Sequence, residues 1–104
     1  MRIRLHKGAL ADLDEATLWY EDQQIGLGGE FLAEVGRGLG LIAETPHVWP
    51  LWRRARRRQS PVRRFLLGQF PYGIAYQVID ESIVVLSVAA HKQRPRYWSG
   101  RVQR

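Results

Sequence analysis

The chain has 104 residues, a net charge of +6, no cysteine and an aromatic content of 11%. The length fits one domain over residues 1–104, and a hydrophobic content of 45% excludes generic disorder. The absence of cysteine excludes disulfide scaffolds, thiolate metal sites and a cysteine nucleophile. No apolar run approaches the ~18 residues of a transmembrane helix, and none follows the basic N-terminus as in a signal peptide, so we expect a soluble cytoplasmic protein.

The N-terminal half predicts one strand and two helices. Residues 2–5 alternate polar and apolar side chains, as in a half-buried strand with Ile3 and Leu5 inward. Residues 9–24 have apolar or small side chains at steps of three and four, which predicts an amphipathic helix. Its expected buried stripe is Leu10, Leu13, Ala16, Thr17 and Tyr20.

A second helix is predicted from about residue 28 or 29 to residue 44, where Thr45-Pro46 ends it. Its expected apolar stripe is Phe31, Leu32, Val35, Leu39 and Ile42. Ala33, Gly36 and Gly40 share another face, which we expect to lie close against the first helix or the sheet. Because the link between the helices is short, they should form an antiparallel hairpin.

The C-terminal half predicts a loop followed by three strands. Residues 47–61 read as a loop that contains tryptophans and arginines, and residues 62–67, 74–79 and 83–90 read as strands. The last strand is almost continuously apolar, which is typical of a central strand covered on both faces. The order β-α-α-β-β-β predicts an α+β fold, in which a helical hairpin covers a mainly antiparallel four-stranded sheet. The first strand should lie next to the last.

Positive charge is concentrated in the second half. Residues 1–52 contain four Lys or Arg and eight Asp or Glu, a net of −4, whereas residues 53–104 contain twelve and two, a net of +10. This asymmetry favours an anionic partner, either nucleic acid or an acidic protein segment, although a solvated loop without a specific partner stays open. The candidate residues for binding nucleic acid or an acidic protein segment are Arg53, Arg54, Arg56, Arg57, Arg58, Arg63 and Arg64. The last two are adjacent on a strand, so their side chains should point to opposite faces.

Other chemistries receive little support from the sequence. The three histidines are isolated from one another at no metal-ligand spacing, so we expect neither a metal nor a cofactor. Most of the helical carboxylates should lie on solvated faces, which argues against a carboxylate dyad. His91 is of more interest, because it ends a strand and opens a basic, aromatic tail where it could serve as a general acid or base. A purely structural histidine is the alternative.

The ordered set of local sequences resembles a known family. The first helix carries residues 11–16 and Trp19-Tyr20-Glu21, and the second carries Phe31 and residues 34–35. The strongest similarities are residues 62–67, residues 70–74, and residues 88–91 followed by Arg94-Pro95 and Tyr97-Trp98. Together they resemble ParE-like toxins of the RelE/ParE superfamily, which belong to type II toxin–antitoxin systems, over residues 1 to about 101.

The resemblance implies a cognate antitoxin, a possible toxin–antitoxin hetero-oligomer, and one of two activities. ParE-like members poison DNA gyrase without performing chemistry, whereas RelE-like members cut mRNA on the ribosome, which requires an acid, a base and cationic clamps. RelE nucleases typically have an arginine where this chain has Gly73, and the second arginine after the last strand is lost or displaced. We therefore favour the gyrase poison.

Two alternatives remain at the level of the sequence: a ribosome-dependent mRNA endonuclease and a non-toxic nucleic-acid-binding module. The residues that would bind the target are Arg94, Arg96, Tyr97 and Trp98. If the chain is a nuclease, the candidate catalytic residues are His91, Lys92, Arg64 and Tyr97. No membrane partner is expected.

Overall fold

A five-stranded sheet forms the centre of the fold, with two helices packed on one face. The computed structural model describes residues 1–53, 60–91 and 97–103, with only the backbone of Arg53. The elements in chain order are β1 (Arg2–Leu5), α1 (Lys7–Gln23), α2 (Leu27–Glu44), β2 (Leu51–Arg53), β3 (Val62–Leu66), β4 (Tyr72–Ile79), β5 (Ser82–Ala90) and a 3₁₀ turn (Ser99–Arg101). None of the helices in these ranges is long and apolar enough to cross a membrane.

The sheet has the strand order β1-β5-β4-β3-β2. β1 pairs with β5 in parallel and the other three pairings are antiparallel, which confirms the α+β fold and the place of the first strand beside the last. The predicted number of four strands was wrong. β2 lies within the segment predicted as a loop and pairs with β3, Leu51 opposite Arg63. Three residues are too few to show a strand periodicity, so this pairing is visible only in three dimensions.

The helical hairpin is confirmed, and its turn is fixed by a carboxylate. The Glu21 side chain accepts hydrogen bonds from the backbone N–H groups of Gly26 and Gly28, with closest distances of 3.0 Å to each. Gly26 precedes α2 with a φ of 91°, the left-handed region that glycine adopts without strain. Gly26 is thus the N-cap of α2, whereas α1 ends at Gln23.

Two predictions about the helix faces were wrong. Leu10 and Leu32 are 50% and 45% exposed, so they lie outside the buried stripes. The small face of α2 is also exposed: a Cβ added at Gly36 or Gly40 would meet no atom within 4 Å. Close packing depends instead on Gly38, where an added Cβ would lie 2.9 Å from the ring of Phe65.

The sheet is covered on both faces. The helix face buries a large apolar cluster that includes Tyr20, Phe31, Phe65, Phe70, Ile74, Tyr76, Ile83 and Val85. The second face buries a smaller cluster of Val62, Ala75, Val84, Leu86 and Trp98, with Trp52 and Val102 against it. β5 contributes to both clusters, which confirms the prediction of a central strand covered on its two sides.

Candidate functional site

The C-terminal residues 97–103 lie beside the part of β5 that β1 leaves open. The pairing of β1 with β5 ends at Leu5 opposite Val85. Beyond that point, backbone groups of β5 are satisfied by side chains: the carbonyl of Leu86 accepts from the Arg101 guanidinium at 3.0 Å, and the N–H of Val88 donates to Asp12 at 3.1 Å. The C-terminal segment and α1 thus close this edge of the sheet.

Asp12 connects three elements through one carboxylate. It is only 7% exposed, although it belongs to a group of acids that the sequence predicts to be mostly solvated. One oxygen accepts from the Tyr97 hydroxyl at 2.6 Å, and the other from the Arg101 guanidinium at 2.8 Å and from the Val88 N–H. The Arg101 guanidinium also lies 4.9 Å from the centre of the Tyr97 ring. We call Asp12, Tyr97 and Arg101 the C-terminal clasp.

Contacts within the clasp raise the pKa values of Tyr97 and Arg101. The hydrogen bond to Asp12, then burial and the negative charge of Asp12, raise the pKa of the Tyr97 hydroxyl. Burial opposes the charge of Arg101, but the hydrogen bond and charge of Asp12 outweigh it, and the pKa of Arg101 lies above its ordinary value. Both side chains therefore keep their protons at neutral pH.

The two aromatic residues predicted to bind the target have different surroundings. Tyr97 is 39% exposed, whereas Trp98 is 2% exposed and packs in the second-face cluster, 5.3 Å from Trp52 between ring centres. The basic residues predicted to act with them, Arg94 and Arg96, lie outside the described residues, as does Lys92. Within the described part of this tail, Tyr97 is the residue that presents its ring to solvent.

Gln77 anchors the far end of the C-terminal segment. Its side chain is fully buried on β4 and donates to the carbonyls of Ser60 and Gln103 at 3.0 and 3.1 Å. Its oxygen accepts from the backbone N–H of Gln103 at 2.8 Å. The segment is therefore held by the clasp at Tyr97 and Arg101 and by Gln77 at Gln103, and Trp98 is buried.

The described nuclease candidates are engaged by different partners. The N–H of His91 donates to the carbonyl of Pro71, and its exposed ring nitrogen Nε2 lies 3.0 Å from the carbonyl of Tyr72. The Arg64 guanidinium stacks over Trp52 at 4.4 Å. Arg64 pairs with Ala75, which pairs with Ser87, so His91 lies four residues farther along the sheet, about 13 Å at the strand rise. Among the described residues, no contact joins His91, Arg64 and Tyr97.

The arginines of β3 diverge as predicted. Arg63 donates to the carbonyl of Trp49 at 2.8 Å on the helix side, and Arg64 lies over Trp52 on the second face. Arg53 ends β2, and its side chain is not described. The remaining candidates of the arginine cluster, Arg54, Arg56, Arg57 and Arg58, lie outside the described residues.

A groove of about 400 Å³ runs between α1 and the end of β5, next to the clasp. Glu15 and Trp19 of α1 form one wall of the groove, and Tyr72 and Tyr97 also line the groove. Burial, followed by the charges of Glu15 and Asp12, raises the pKa of Tyr72. In the described ranges, no group of three histidine or carboxylate side chains is placed to hold a metal ion.

Asp12, Arg101 and Gln77 were missed as site residues by the sequence reasoning. For Asp12 a signal exists, because residues 9, 12, 16 and 20 follow helical steps of three and four, and the other three are buried. A carboxylate on that face must have partners, since burying it alone is costly. Nothing in the local sequence indicates which distant residues those partners are.

The chain is similar to known proteins in both sequence and fold. A family model described as the ParE toxin of the type II toxin–antitoxin system parDE matches residues 3–95. A solved structure described as a chromosomal ParDE toxin–antitoxin system from P. aeruginosa has a chain similar in fold, with a TM-score of 0.58 and 20% sequence identity. The similarity covers 86% of this chain and 95% of that chain. No curated protein matches the sequence.

Proposed function

Because the chain belongs to the ParE toxin family of type II toxin–antitoxin systems, we propose that it inhibits growth in the cytoplasm by poisoning DNA gyrase. It acts by binding and performs no chemical step of its own. A cognate antitoxin neutralises it. The antitoxin is proposed from the family and from the similar structure, which is itself described as a toxin–antitoxin system.

The observation that carries the non-nuclease activity is the surroundings of position 73. RNA cleavage needs cationic groups around the phosphate, and RelE nucleases typically place an arginine at this position. Here Gly73 is buried, and an added Cβ would lie 3.2 Å from Leu66 and 3.4 Å from the backbone oxygen of Phe65. A side chain here would require Leu66 to give by a few tenths of an ångström, and glycine itself supplies no cation to clamp a phosphate.

The separation of the nuclease candidates supports the same proposal. The Tyr97 hydroxyl is engaged by Asp12, and the Arg64 guanidinium is stacked on Trp52. A general acid and a cationic clamp must lie within about 3 Å of the same reacting group. These two groups are held by different partners, Asp12 on α1 and Trp52 on β2.

The proposed target-binding surface is the C-terminal tail with its basic residues and Tyr97. An exposed aromatic ring next to arginines is the composition of an interface anchor. Trp98 is buried and is therefore left out of the proposed surface. The basic half of the chain would also attract an acidic antitoxin segment, so antitoxin binding should weaken with salt without being lost, because apolar burial is not screened.

The proposal is tested by expressing the toxin and following two readouts in the same cells. One readout is mRNA cut at the ribosomal A-site codon, and the other is DNA broken with gyrase attached. We expect gyrase-linked breaks without codon-periodic mRNA cleavage. Rapid mRNA cleavage without DNA damage would overturn the proposal in favour of the endonuclease.

Two variants separate binding from catalysis in this assay. His91→Ala should reduce toxicity modestly or not at all, whereas Arg94→Ala combined with Tyr97→Ala should reduce it more. For a nuclease the order reverses, since losing a general acid or base costs about 10²–10⁴-fold in rate. Trp98 is left unchanged in these variants, because its removal would disrupt the second-face cluster.

A further inference from the structure

The C-terminal clasp joins a residue of α1 to the tail that carries the proposed target-binding surface. We propose that Asp12 is a positioning residue for target recognition: it holds the ring of Tyr97 in the orientation that the target binds. This inference rests on the proposed function. It assigns a role to a carboxylate that would itself touch neither target nor antitoxin.

The saturation of the Asp12 carboxylate is the first argument. A buried carboxylate is tolerated only when its oxygens are hydrogen-bonded and its charge is paired. Oδ1 accepts hydrogen bonds from the Tyr97 hydroxyl at 2.6 Å and from the second Arg101 nitrogen at 3.4 Å. Oδ2 receives Arg101 at 2.8 Å and the Val88 N–H at 3.1 Å. Both oxygens are engaged twice, so the three donors have one joint arrangement.

Tyr97 is restrained at two points although it is partly exposed. Its hydroxyl is fixed by Asp12, and the guanidinium of Arg101 lies near its ring, yet the residue remains 39% exposed. An exposed tyrosine that only stabilised the fold would have no need for restraint at both its hydroxyl and its ring. A ring that is held before binding loses less conformational entropy when the partner arrives, which increases affinity without a new contact.

Gly8, at another position on α1, leaves room for the Arg101 side chain. Gly8, in the first turn of α1, lies directly beneath Arg101, where an added Cβ would come within 2.4 Å of the guanidinium. Such a contact would force the guanidinium to move. The position of the Arg101 guanidinium in the clasp therefore depends on the missing side chain of Gly8.

Anchoring at the other end makes positioning separable from folding. Gln77 binds both the N–H and the carbonyl of Gln103, and Trp98 is buried on the second face. Loss of the clasp should free the Tyr97 ring while these anchors keep the rest of the segment on the sheet.

The experiment compares full-length variants for potency and for the state of Tyr97. Asp12→Asn breaks the clasp through its charge, Gly8→Ala breaks it by steric displacement of Arg101, and Gly36→Ala is the matched control on an open helix face. Potency is the toxin concentration that gives half-maximal gyrase-dependent DNA cleavage. The state of Tyr97 is followed by NMR titration of the labelled tyrosine rings, with Tyr97→Phe identifying the signal.

We expect Asp12→Asn and Gly8→Ala each to need about tenfold more toxin, the size of an interface hot-spot loss. Gly36→Ala should match the wild type. In Asp12→Asn the pKa of Tyr97 should fall towards its ordinary value, because its hydrogen bond to the carboxylate is lost. A merely stabilising role of Asp12 would leave potency unchanged for protein that remains folded.

Two results would overturn the inference: a Tyr97 pKa that falls without any change of potency, or a Gly8→Ala variant as potent as Gly36→Ala. If Asp12→Asn does not fold, the comparison of Gly8→Ala with Gly36→Ala decides alone. Failure of the proposed function is a separate result, since the wild type would then produce no gyrase-dependent breaks. In that case potency is read as growth inhibition with the same variants and the same criteria.

Discussion

The two faces of the sheet are covered by different kinds of contact. On the helix face, α1 and α2 meet the sheet through mutually packed aromatic rings, with Tyr20, Phe31 and Phe70 at centre distances of 4.9–5.2 Å. The C-terminal segment buries Trp98 on the second face and is otherwise held by two polar anchors, Gln77 and, at the open edge of β5, the clasp of Asp12. One covering is a redundant apolar cluster, and the other depends on a few directional contacts.

This difference separates stability from function within one small domain. An apolar cluster is non-directional, and its energy is spread over many neighbours. A segment held by a few hydrogen bonds has a defined orientation, but a single substitution can release it. The proposed target-binding tail is attached by the second kind of contact, so its orientation and the stability of the core should respond to different mutations.

The largest expected effect lies on the helix face. Phe31 is fully buried among aromatic rings, and Phe31→Ala should lower the free energy of unfolding by about 3–5 kcal/mol. The neighbouring Leu32→Ala is the control, because Leu32 is 45% exposed and should cost much less. Urea denaturation of both variants measures the difference. Equal losses would mean that the exposed side of α2 is covered by something else in solution.

On the second face, Gln77→Leu should lower the free energy of unfolding by about 3 kcal/mol, because it removes a buried partner from three backbone groups. These groups are the carbonyl of Ser60 and both polar groups of Gln103. Hydrogen exchange should show the amide of Gln103 exchanging faster while the amides of Ile74 and Val85 change less. Uniform loss of protection would contradict the separation of the two coverings.

The contrast also explains what the sequence allowed us to predict. The helices and the three C-terminal strands follow from residue spacing, since residues such as Val35 and Ile42 repeat with the helical period. The additional strand β2, the clasp and the Gln77 anchor do not follow from residue spacing, because each depends on a partner far along the chain. Asp12 and Arg101 are 89 positions apart, and no local pattern connects them.

The family was predictable for the same reason, because its local sequences occur in order along the chain. The candidate target-binding residues were harder to separate, since Tyr97 and Trp98 are adjacent aromatics with the same local composition. Only the packing of Trp98 against Trp52 assigns one to the core and leaves the other exposed.

Two glycines of α2, Gly38 and Gly40, distinguish the packed side of this helix from its open side. Gly38→Ala should destabilise by about 1–3 kcal/mol, because the new methyl group overlaps the rings and side chains of Phe65 and Ile74. Gly40→Ala, on the open side of the same helix, should stabilise by up to about 1 kcal/mol through helix propensity. Thermal melting of the pair gives shifts of opposite sign. A stabilising Gly38→Ala would show that α2 packs less tightly on β3 than described.

The smallest expected effect at neutral pH distinguishes Tyr76 from its neighbour Gln77 on β4. The Tyr76 hydroxyl donates to the carbonyl of Pro46 at 2.7 Å, so Tyr76→Phe should cost about 1 kcal/mol. Burial raises the pKa of Tyr76 to about 12, above the ordinary value of 10.0. Its protonated form is therefore favoured in the folded state, and the corresponding stability is present below pH 10 and lost as the pH rises through 12.

The deficit of Tyr76→Phe should accordingly shrink between pH 10 and 12, because only the wild type loses this contribution. Denaturation at several alkaline pH values measures it. A deficit that stays constant over this range would place the Tyr76 hydroxyl in contact with water.

The most direct test of the proposed activity uses purified components. Gyrase, relaxed plasmid and ATP are incubated with the toxin, and linear DNA is measured after detergent and protease treatment. If the chain poisons gyrase, we expect linear DNA that increases with toxin, requires gyrase, and is abolished when the cognate antitoxin is added first. Absence of linear DNA, together with mRNA cleavage when the same protein is added to translating ribosomes, would contradict it.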